Sequence, residues 1–254
     1  MQPQRTVNIK DKFKELNIDV NELSLGEFDQ IAEITARKAR DPNSELFKRV
    51  GCYFKPNLER GLLIYSLIKK YRLTSYLEIG WGRGYSSICA ARAFSELGND
   101  GHVMVIEPTL DDQFMNAISQ MFPQEWLSHI KFAKGTSAQI LPKLKDKYDF
   151  IYVDGDHTKE SVIHDYGYVS ELWNDFLLMD DYHMQTDTDP NIQVHEALQQ
   201  FEHPSDASSD LVIMDRRIFP DDRGWTDDMI KYGQLLFTKN DTKNKQTATV
   251  TWEW

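Results

Sequence analysis

Carboxylate side chains follow two apolar segments of the chain in the same manner. Asp154, Asp156 and His157 follow the first segment, and Asp180 with Asp181 follows the second. Several carboxylates at one place repel each other unless a cation neutralises them, and oxygen ligands favour a hard ion such as Mg²⁺, with Mn²⁺ or Ca²⁺ as alternatives. The pattern predicts a divalent-cation site or, as the alternative, solvated carboxylates at two strand ends.

A glycine-rich turn is the second feature that could do chemistry. Gly80, Gly82 and Gly84 follow an apolar segment that contains Glu78. Glycine lets the backbone approach a ligand closely or take a positive φ, and the free N–H groups of a following helix favour polar or negative ligand groups. The dinucleotide fingerprint needs a third glycine where Tyr85 stands, so NAD is disfavoured. The turn therefore predicts a site for another nucleotide-like ligand, with an ordinary ligand-free turn as the alternative.

Glu107 is a further candidate, because it ends the apolar segment that begins at His102 and precedes Pro108. In doubly wound sheets, ligands bind beyond the carboxyl ends of the strands, and an acidic side chain at the second strand can accept both hydroxyls of a ribose. The separation between Gly80 and Glu107 leaves room for one helix and one turn. A surface carboxylate at a strand end is the alternative interpretation.

The periodicity of apolar residues predicts the elements that position these side chains. Helices are expected over 61–71, 85–97, 114–122, 158–173 and 192–201, and strands over 76–79, 102–106, 130–133, 148–153, 176–179, 211–219 and 232–238. A helix between the strands that end at Asp154 and Asp180 implies a crossover, so these strands would be parallel neighbours. Both acidic ends then meet at one edge of the sheet.

Composition limits the classes of partner. The 254 residues include 40 acidic and 29 basic side chains, a formal net charge of −11 that disfavours nucleic acid and anionic membranes. The two cysteines, Cys52 and Cys89, do not suggest a disulfide framework. No apolar run approaches the roughly 18 residues of a membrane span. These features predict a cytoplasmic protein that acts on a small molecule.

Three segments resemble the class I S-adenosylmethionine-dependent methyltransferases. The glycine turn after Glu78 resembles their first motif, whose loop wraps the amino-acid end of the cofactor. Residues 135–144 resemble the adenine-binding segment of catechol O-methyltransferase-like enzymes, although composition alone predicts only that Ser137 caps a helix. The segment from Asp154 to His157, with the later pair at 180–181, resembles the metal-dependent branch, which includes catechol and macrocin-type sugar O-methyltransferases. The resemblance covers about residues 55–240.

The resemblance implies a role for each of these positions. Asp154, Asp180 and Asp181 would be the metal ligands, and His157, with Asp154, would be catalytic, standing where the catechol enzyme has its lysine base. From its position in the loop after the fifth strand, His183 could also reach the metal or the substrate, with simple exposure to solvent as the alternative. The implied cofactor is S-adenosylmethionine, bound by Glu78, Gly80, Trp81, Gly82, Gly84, Tyr85, Ser86, Glu107, Pro108, Ser137, Ala138 and Asp154. The ring of Trp81 or Tyr85 could face the sulfonium, with packing against the protein as the alternative.

The predicted fold is therefore α/β: a Rossmann-like, doubly wound, mostly parallel seven-stranded sheet with helices on both faces and a C-terminal antiparallel hairpin. Residues 1–55 would form an N-terminal helical extension or cap, 56–240 the methyltransferase domain, and 241–254 a tail able to form an edge strand. Such an exposed strand, with two tryptophans, would suit a homodimer interface.

The predicted function is divalent-metal-dependent transfer of the methyl group of S-adenosylmethionine to a hydroxyl of a small molecule, such as a phenol, a catechol, a sugar or a natural product. Two alternatives stay open: an oxidative enzyme of the cephalosporin hydroxylase-like group on the same fold, and a non-catalytic S-adenosylmethionine-binding protein.

Overall fold

The structure, a computed structural model, describes residues 1–19, 22–35, 56–110, 112–182, 192–214 and 233–245. Its strands are β1 Arg5–Asn8, β2 Ser75–Ile79, β3 His102–Glu107, β4 Ile130–Lys134, β5 Tyr148–Val153, β6 Trp173–Met179, β7 Ala207–Ile213 and β8 Gly233–Lys239. Its α-helices are α1 Ile9–Glu15, α2 Glu22–Ile34, α3 Leu58–Tyr71, α4 Tyr85–Leu97, α5 Asp112–Met121, α6 Gln124–Leu127, α7 Ser137–Ile140, α8 Lys159–Val169 and α9 Val194–Leu198.

The described strands form one sheet in the order β1-β7-β8-β6-β5-β2-β3-β4. All neighbouring pairs are parallel except those of β8, which is antiparallel to both β6 and β7. The mostly parallel, doubly wound sheet with a C-terminal antiparallel hairpin is therefore confirmed. Within the described ranges the sheet has eight strands rather than the predicted seven.

Two layers of side chains pack on opposite faces of this sheet. Strand β2 is buried along its whole length, as expected for a central strand of a parallel sheet. Tyr76, Tyr152 and Phe176 face a core that includes apolar residues of α2, α3 and α4. Leu77 and Ile151 face the other core, to which α8 and α9 contribute. The alternation along each strand thus gives both helical layers an apolar surface.

The additional strand comes from the N-terminal segment, where the sequence analysis predicted only helices. Residues 5–8 pair in parallel with β7, and α1 follows directly. Asn8 ends the strand because its side chain accepts a hydrogen bond from the Lys10 N–H at 2.9 Å and caps α1. The segment therefore extends the sheet at the edge away from β2.

Several predicted features lie outside the described residues. These include His183, Cys52, residues 215–219 of the predicted strand 211–219 and residues 246–254 of the predicted tail. Among the helices that are described, none combines the length and apolar character needed to cross a membrane.

Candidate functional site

The candidate site lies at the carboxyl ends of the central parallel strands. The Asp154 N–H donates to the Ile79 carbonyl oxygen at 2.9 Å, and the Asp180 N–H donates to the Val153 carbonyl oxygen at 3.0 Å. The ends of β2, β5 and β6 therefore meet at one edge of the sheet, as the predicted crossovers require. The strand order reverses between β2 and β5, which is where ligands bind in open α/β sheets.

The glycine turn between β2 and α4 lies with its backbone close against the backbone of Asp154. Gly80, Gly82 and Gly84 have φ values of 85°, 58° and 86°. A Cβ at Gly80 would overlap the carbonyl oxygen of Asp154, and one at Gly84 would overlap the indole of Trp81. Glycine is required here for both conformation and space. The turn is therefore a close backbone cradle beside the acidic segment.

Glu78 lies behind this turn rather than in it. Its side chain is buried, and Oε2 accepts hydrogen bonds from Ser87 Oγ at 2.6 Å and from the Tyr76 hydroxyl at 3.2 Å. Burial raises the pKa of Glu78 to about 8, the Asp154 charge adding to the shift while the Ser87 hydrogen bond opposes it. Glu78 thus ties the first turn of α4 to β2, and its predicted contact with a cofactor stays a prediction.

Glu107, at the end of β3, is joined directly to the glycine turn. Its Oε2 accepts the Trp81 backbone N–H at 3.0 Å, and its Oε1 accepts the Thr109 N–H at 2.8 Å and the Thr109 hydroxyl at 2.5 Å. Pro108, between them, is exposed. The structure therefore brings together two parts of the predicted cofactor site that are far apart in sequence.

The aromatic rings of the turn pack against the protein. The Trp81 ring lies on Phe132 with ring centroids 4.2 Å apart, and the Tyr85 hydroxyl donates to the Leu58 carbonyl oxygen at 2.8 Å. Both rings are buried, and so is Ser86. In the structure Trp81 and Tyr85 therefore pack against the protein. A contact of either ring with a sulfonium stays a prediction.

The prediction that Ser137 caps a helix is wrong by one residue. Thr136 is the N-cap of α7, and it forms a capping box in which the Thr136 N–H donates to Gln139 Oε1 at 3.1 Å. Ser137 is the first helical residue, and its side chain lies near Asp165 of α8. Ala138 follows it and is exposed. This segment follows β4, whose end lies beside Glu107, because the Gly135 N–H donates to the Glu107 carbonyl oxygen at 3.2 Å.

Asp180 is a buried carboxylate with three donors among the described residues. Its Oδ2 accepts hydrogen bonds from Arg60 Nη1 and from the Tyr152 hydroxyl, each at 2.8 Å. Its Oδ1 accepts a hydrogen bond from Gln234 Nε2, also at 2.8 Å. Burial raises the pKa of Asp180, and the charge of Asp154 adds to this shift against the opposing effect of Arg60. Both oxygens of Asp180 are thus engaged by protein groups.

Asp154 and Asp181 share the imidazole of His157. Nε2 of His157 lies 3.4 Å from Asp154 Oδ1, and Nδ1 lies 3.0 Å from Asp181 Oδ2. Burial acts to lower the pKa of His157, but the two carboxylates outweigh it and raise this pKa well above its usual range. Burial acts to raise the pKa of Asp154, but Arg60 and His157 outweigh it, so this pKa is lowered. The predicted acidic residues are therefore close together and alternate with positive groups.

Asp156, which the resemblance places behind the metal ligands or facing the substrate, is hydrogen-bonded in the structure to the start of α8. Its Oδ1 accepts the Thr158 N–H at 3.0 Å, and its Oδ2 accepts the Ser161 hydroxyl at 2.9 Å. These bonds organise the start of α8, as an aspartate ahead of a helix commonly does.

The predicted divalent ion does not fit this arrangement of side chains. The described part of the chain contains no group of three or more His, Cys, Asp or Glu residues arranged to hold a metal. The three predicted ligands converge, but Oδ2 of Asp154 and Oδ2 of Asp180 both face Arg60 Nη1, at 3.4 and 2.8 Å. An ion at these oxygens would meet a guanidinium, which carries a permanent positive charge.

Arg60, Tyr152 and Gln234 are the functional candidates that sequence reasoning missed. Arg60 stands in the first turn of α3, whose N-cap Asn57 accepts hydrogen bonds from the backbone N–H groups of Glu59 and Arg60. A cation at the N-terminus of a helix opposes the helix dipole. That unfavourable position is a sequence signal that an acidic partner is present elsewhere. Tyr152 and Gln234 lie within strands and carry no comparable signal.

Comparison with known proteins agrees with the fold. Residues 77–182 match the model of a family described as a methyltransferase domain. This range begins in β2 and ends just after Asp181, so it contains the glycine turn, Glu107 and the acidic segments. None of the curated proteins compared matches the chain.

Solved structures share the fold over nearly the whole chain. The O-methyltransferase TomG from Streptomyces achromogenes, involved in tomaymycin synthesis and solved with S-adenosylmethionine, is 19% identical with a TM-score of 0.52, over 91% of this chain and 95% of that one. The O-methyltransferase from Bacillus cereus, solved with S-adenosylhomocysteine, is 16% identical with a TM-score of 0.55, over 92% and 98%. The methyltransferase PaMTH1 from Podospora anserina, also bound to S-adenosylhomocysteine, is 14% identical with a TM-score of 0.54, over 91% and 94%.

At these identities, the structural likeness concerns the fold alone, and the family match concerns the segment from residue 77 to residue 182. Residues 77–182 therefore match a methyltransferase domain, and the chain shares the Rossmann-like fold of these solved methyltransferases.

Proposed function

We propose that the protein transfers the methyl group of S-adenosylmethionine to a hydroxyl group of a small molecule. The observation that carries this proposal is the Gly80–Gly84 turn, whose glycines bring the backbone against Asp154 and whose Trp81 N–H is held by Glu107. The O-methyltransferases TomG and that of Bacillus cereus, solved with S-adenosylmethionine and S-adenosylhomocysteine, support the choice of cofactor and of oxygen as acceptor.

The cofactor would lie across the ends of β2, β3 and β4. The glycine turn would receive its methionine part, Glu107 its ribose, and the segment at Ser137 and Ala138 its adenine. These three places are next to each other because Glu107 contacts the glycine turn through Trp81 and the backbone of β4 through Gly135. The net charge of −11 favours a small acceptor over nucleic acid.

Methyl transfer forms a bond from the acceptor oxygen to the methyl carbon while the bond from that carbon to sulfur breaks, and the hydroxyl proton leaves. Catalysis therefore consists largely of holding the two reactants in line and removing the proton. Asp154 lies beside the glycine turn, and His157 lies against Asp154. We keep His157 as the candidate base. The two carboxylates raise its pKa well above the usual range, so it holds a proton near neutral pH and can accept the hydroxyl proton only in its neutral form, which becomes more abundant as the pH rises.

The sequence also predicts that a divalent metal assists the reaction. We assign no step to a metal, because the carboxylate oxygens that would hold it face Arg60 and His157. Metal dependence and the class of hydroxylated acceptor are both decided by experiment.

The test is transfer of labelled methyl from S-adenosylmethionine to a panel of phenols, catechols and sugars, with and without a chelator, beside calorimetric titration of S-adenosylhomocysteine. We expect label transfer to at least one acceptor and weaker S-adenosylhomocysteine binding in Glu107→Gln. The exposed Glu125 provides the matched control, Glu125→Gln, which should bind as the wild type does. Binding without transfer to any acceptor would support the non-catalytic alternative, and absence of binding would contradict the proposal.

A further inference from the structure

Arg60 reaches the acidic pair from the first turn of α3. Its Nη1 lies 2.8 Å from Asp180 Oδ2 and 3.4 Å from Asp154 Oδ2. The side chain is only 12% exposed, and its guanidinium lies 5.5 Å from the ring centroid of Tyr152. Tyr152 itself donates a hydrogen bond to the same oxygen of Asp180. Arg60 is therefore held in place by charge and by an aromatic ring.

The position of Arg60 coincides with the place that a metal ion would take between the two carboxylates. Ions such as Mg²⁺ and Ca²⁺ bind oxygen ligands at about 2.0–2.6 Å. An ion bound through Oδ2 of Asp154 and of Asp180 would meet Arg60 Nη1, which both atoms face, and the other oxygen of Asp154 faces His157. The second oxygen of Asp180 is held by Gln234. A divalent ion and the guanidinium would therefore compete for the same oxygens and repel each other.

We infer that Arg60 is the built-in counter-ion of the Asp154–Asp180 pair and takes the place of a divalent cation. Its charge is permanent, so the pair is neutralised without any ion from solution. The inference rests on the proposed function. In that reaction Arg60 would be a positioning residue, because it holds the carboxylates at the ends of β5 and β6 where the acceptor would bind.

The test is direct binding of Mn²⁺ to the full-length protein, followed through the paramagnetic resonance signal of free Mn²⁺. We expect no saturable binding to the wild type. Arg60→Gln should gain Mn²⁺ affinity by roughly tenfold or more, because a unit positive charge a few ångströms from the ion is removed. Asp180→Asn in the Arg60→Gln background should remove that gain.

Arg92→Gln is the matched control for loss of a buried arginine. Arg92 is 11% exposed, pairs with Glu27 and Glu96, and lies over the ring of Phe28 at 5.4 Å. This variant should gain no Mn²⁺ affinity.

Two results would overturn the inference: saturable Mn²⁺ binding to the wild type that Asp180→Asn abolishes, or a folded Arg60→Gln that binds no more Mn²⁺ than the wild type. If Arg60→Gln does not fold, the wild type and its Asp180→Asn variant decide the question. Equal absence of binding supports the inference, and binding lost in Asp180→Asn contradicts it. Mn²⁺ binding does not depend on methyl transfer, so the Mn²⁺ result can be interpreted even if the methyl-transfer assay fails.

Discussion

Glu78 is a single residue whose ionisation the fold opposes, although its side chain is hydrogen-bonded. The carboxyl group lies in the core between β2 and α4, where Ser87 and Tyr76 are its partners. Its ordinary pKa is 4.5, and burial raises it to about 8. The folded protein therefore binds a proton here at pH values where the unfolded chain has lost it.

This difference predicts how stability depends on pH. Since the folded-state pKa is raised, the contribution of Glu78 is fully present below its ordinary pKa and is lost as the pH rises towards about 8. Glu78→Gln keeps a neutral group of the same shape, so it should be more stable than the wild type at high pH, by a few kcal/mol. The advantage should shrink in mildly acidic solution. Urea unfolding at about pH 5.5 and 8.5 measures both differences.

Glu125→Gln provides the comparison, because Glu125 is exposed and stands on the short helix α6. Its difference from the wild type should be small and similar at the two pH values. A Glu78→Gln variant whose advantage does not grow with pH would show that the carboxyl group is not held neutral by the fold.

At the scale of elements, the turn from β2 to α4 determines how closely the glycine loop approaches β5. Gly80→Ala should be strongly destabilising for two reasons. Its φ of 85° costs an alanine about 1–2 kcal/mol, and its Cβ would overlap the carbonyl oxygen of Asp154. We expect the variant to lose S-adenosylhomocysteine binding together with stability, as measured by calorimetry and urea unfolding.

Gly98→Ala separates these two causes. Gly98 ends α4 with a φ of 60°, and nothing lies within 4 Å of the Cβ that alanine would add. It should therefore show the conformational cost alone, about 1 kcal/mol, with unchanged binding. Equal effects of Gly80→Ala and Gly98→Ala would mean that the approach to Asp154 is not what the turn requires of glycine.

The element scale also shows which features could be predicted from sequence. Strand β2, helix α4 and the neighbouring positions of Asp154 and Asp180 follow from hydrophobic periodicity and from the right-handed crossover. The cap of α7 is also predictable: Thr136 and Gln139 have the spacing of a capping box, which points to Thr136 rather than Ser137 as the cap.

Two other features were not predictable in the same way. Arg60 meets its carboxylates at sequence separations of 94 and 120 residues, which local patterns do not report. Strand β1 is only four residues long and is defined by its pairing with β7, not by an alternating pattern of its own.

For the whole molecule, the N-terminal segment and the candidate site lie at different parts of the sheet. Strand β1 forms one edge beside β7, whereas the site lies at the ends of β6, β5, β2 and β3, with Gln234 of β8 beside Asp180. Asp210 of β7 holds the N-terminal segment through two ion pairs. Its Oδ2 lies 2.5 Å from Lys12 Nζ, and its Oδ1 lies 2.5 Å from Arg5 Nε. Lys12 and Asp210 are both buried, so this pair is shielded from solvent.

Asp210→Asn tests whether this attachment serves stability alone. Removing the carboxylate leaves the Lys12 charge buried without its partner, which typically costs about 3–5 kcal/mol. Asp206→Asn is the matched control: Asp206 also pairs with a lysine, Lys239 at 2.6 Å, but it is 64% exposed, so its loss should cost about 0–1 kcal/mol. Because β8, β6 and β5 separate β7 from the strands β2, β3 and β4 of the proposed cofactor site, Asp210→Asn should lower the free energy of unfolding while S-adenosylhomocysteine affinity stays unchanged. Urea unfolding and calorimetric titration of the same samples measure the two quantities. Weakened binding by a folded Asp210→Asn would instead couple the N-terminal segment to the site, as the predicted role of residues 1–55 as a cap over the substrate pocket requires.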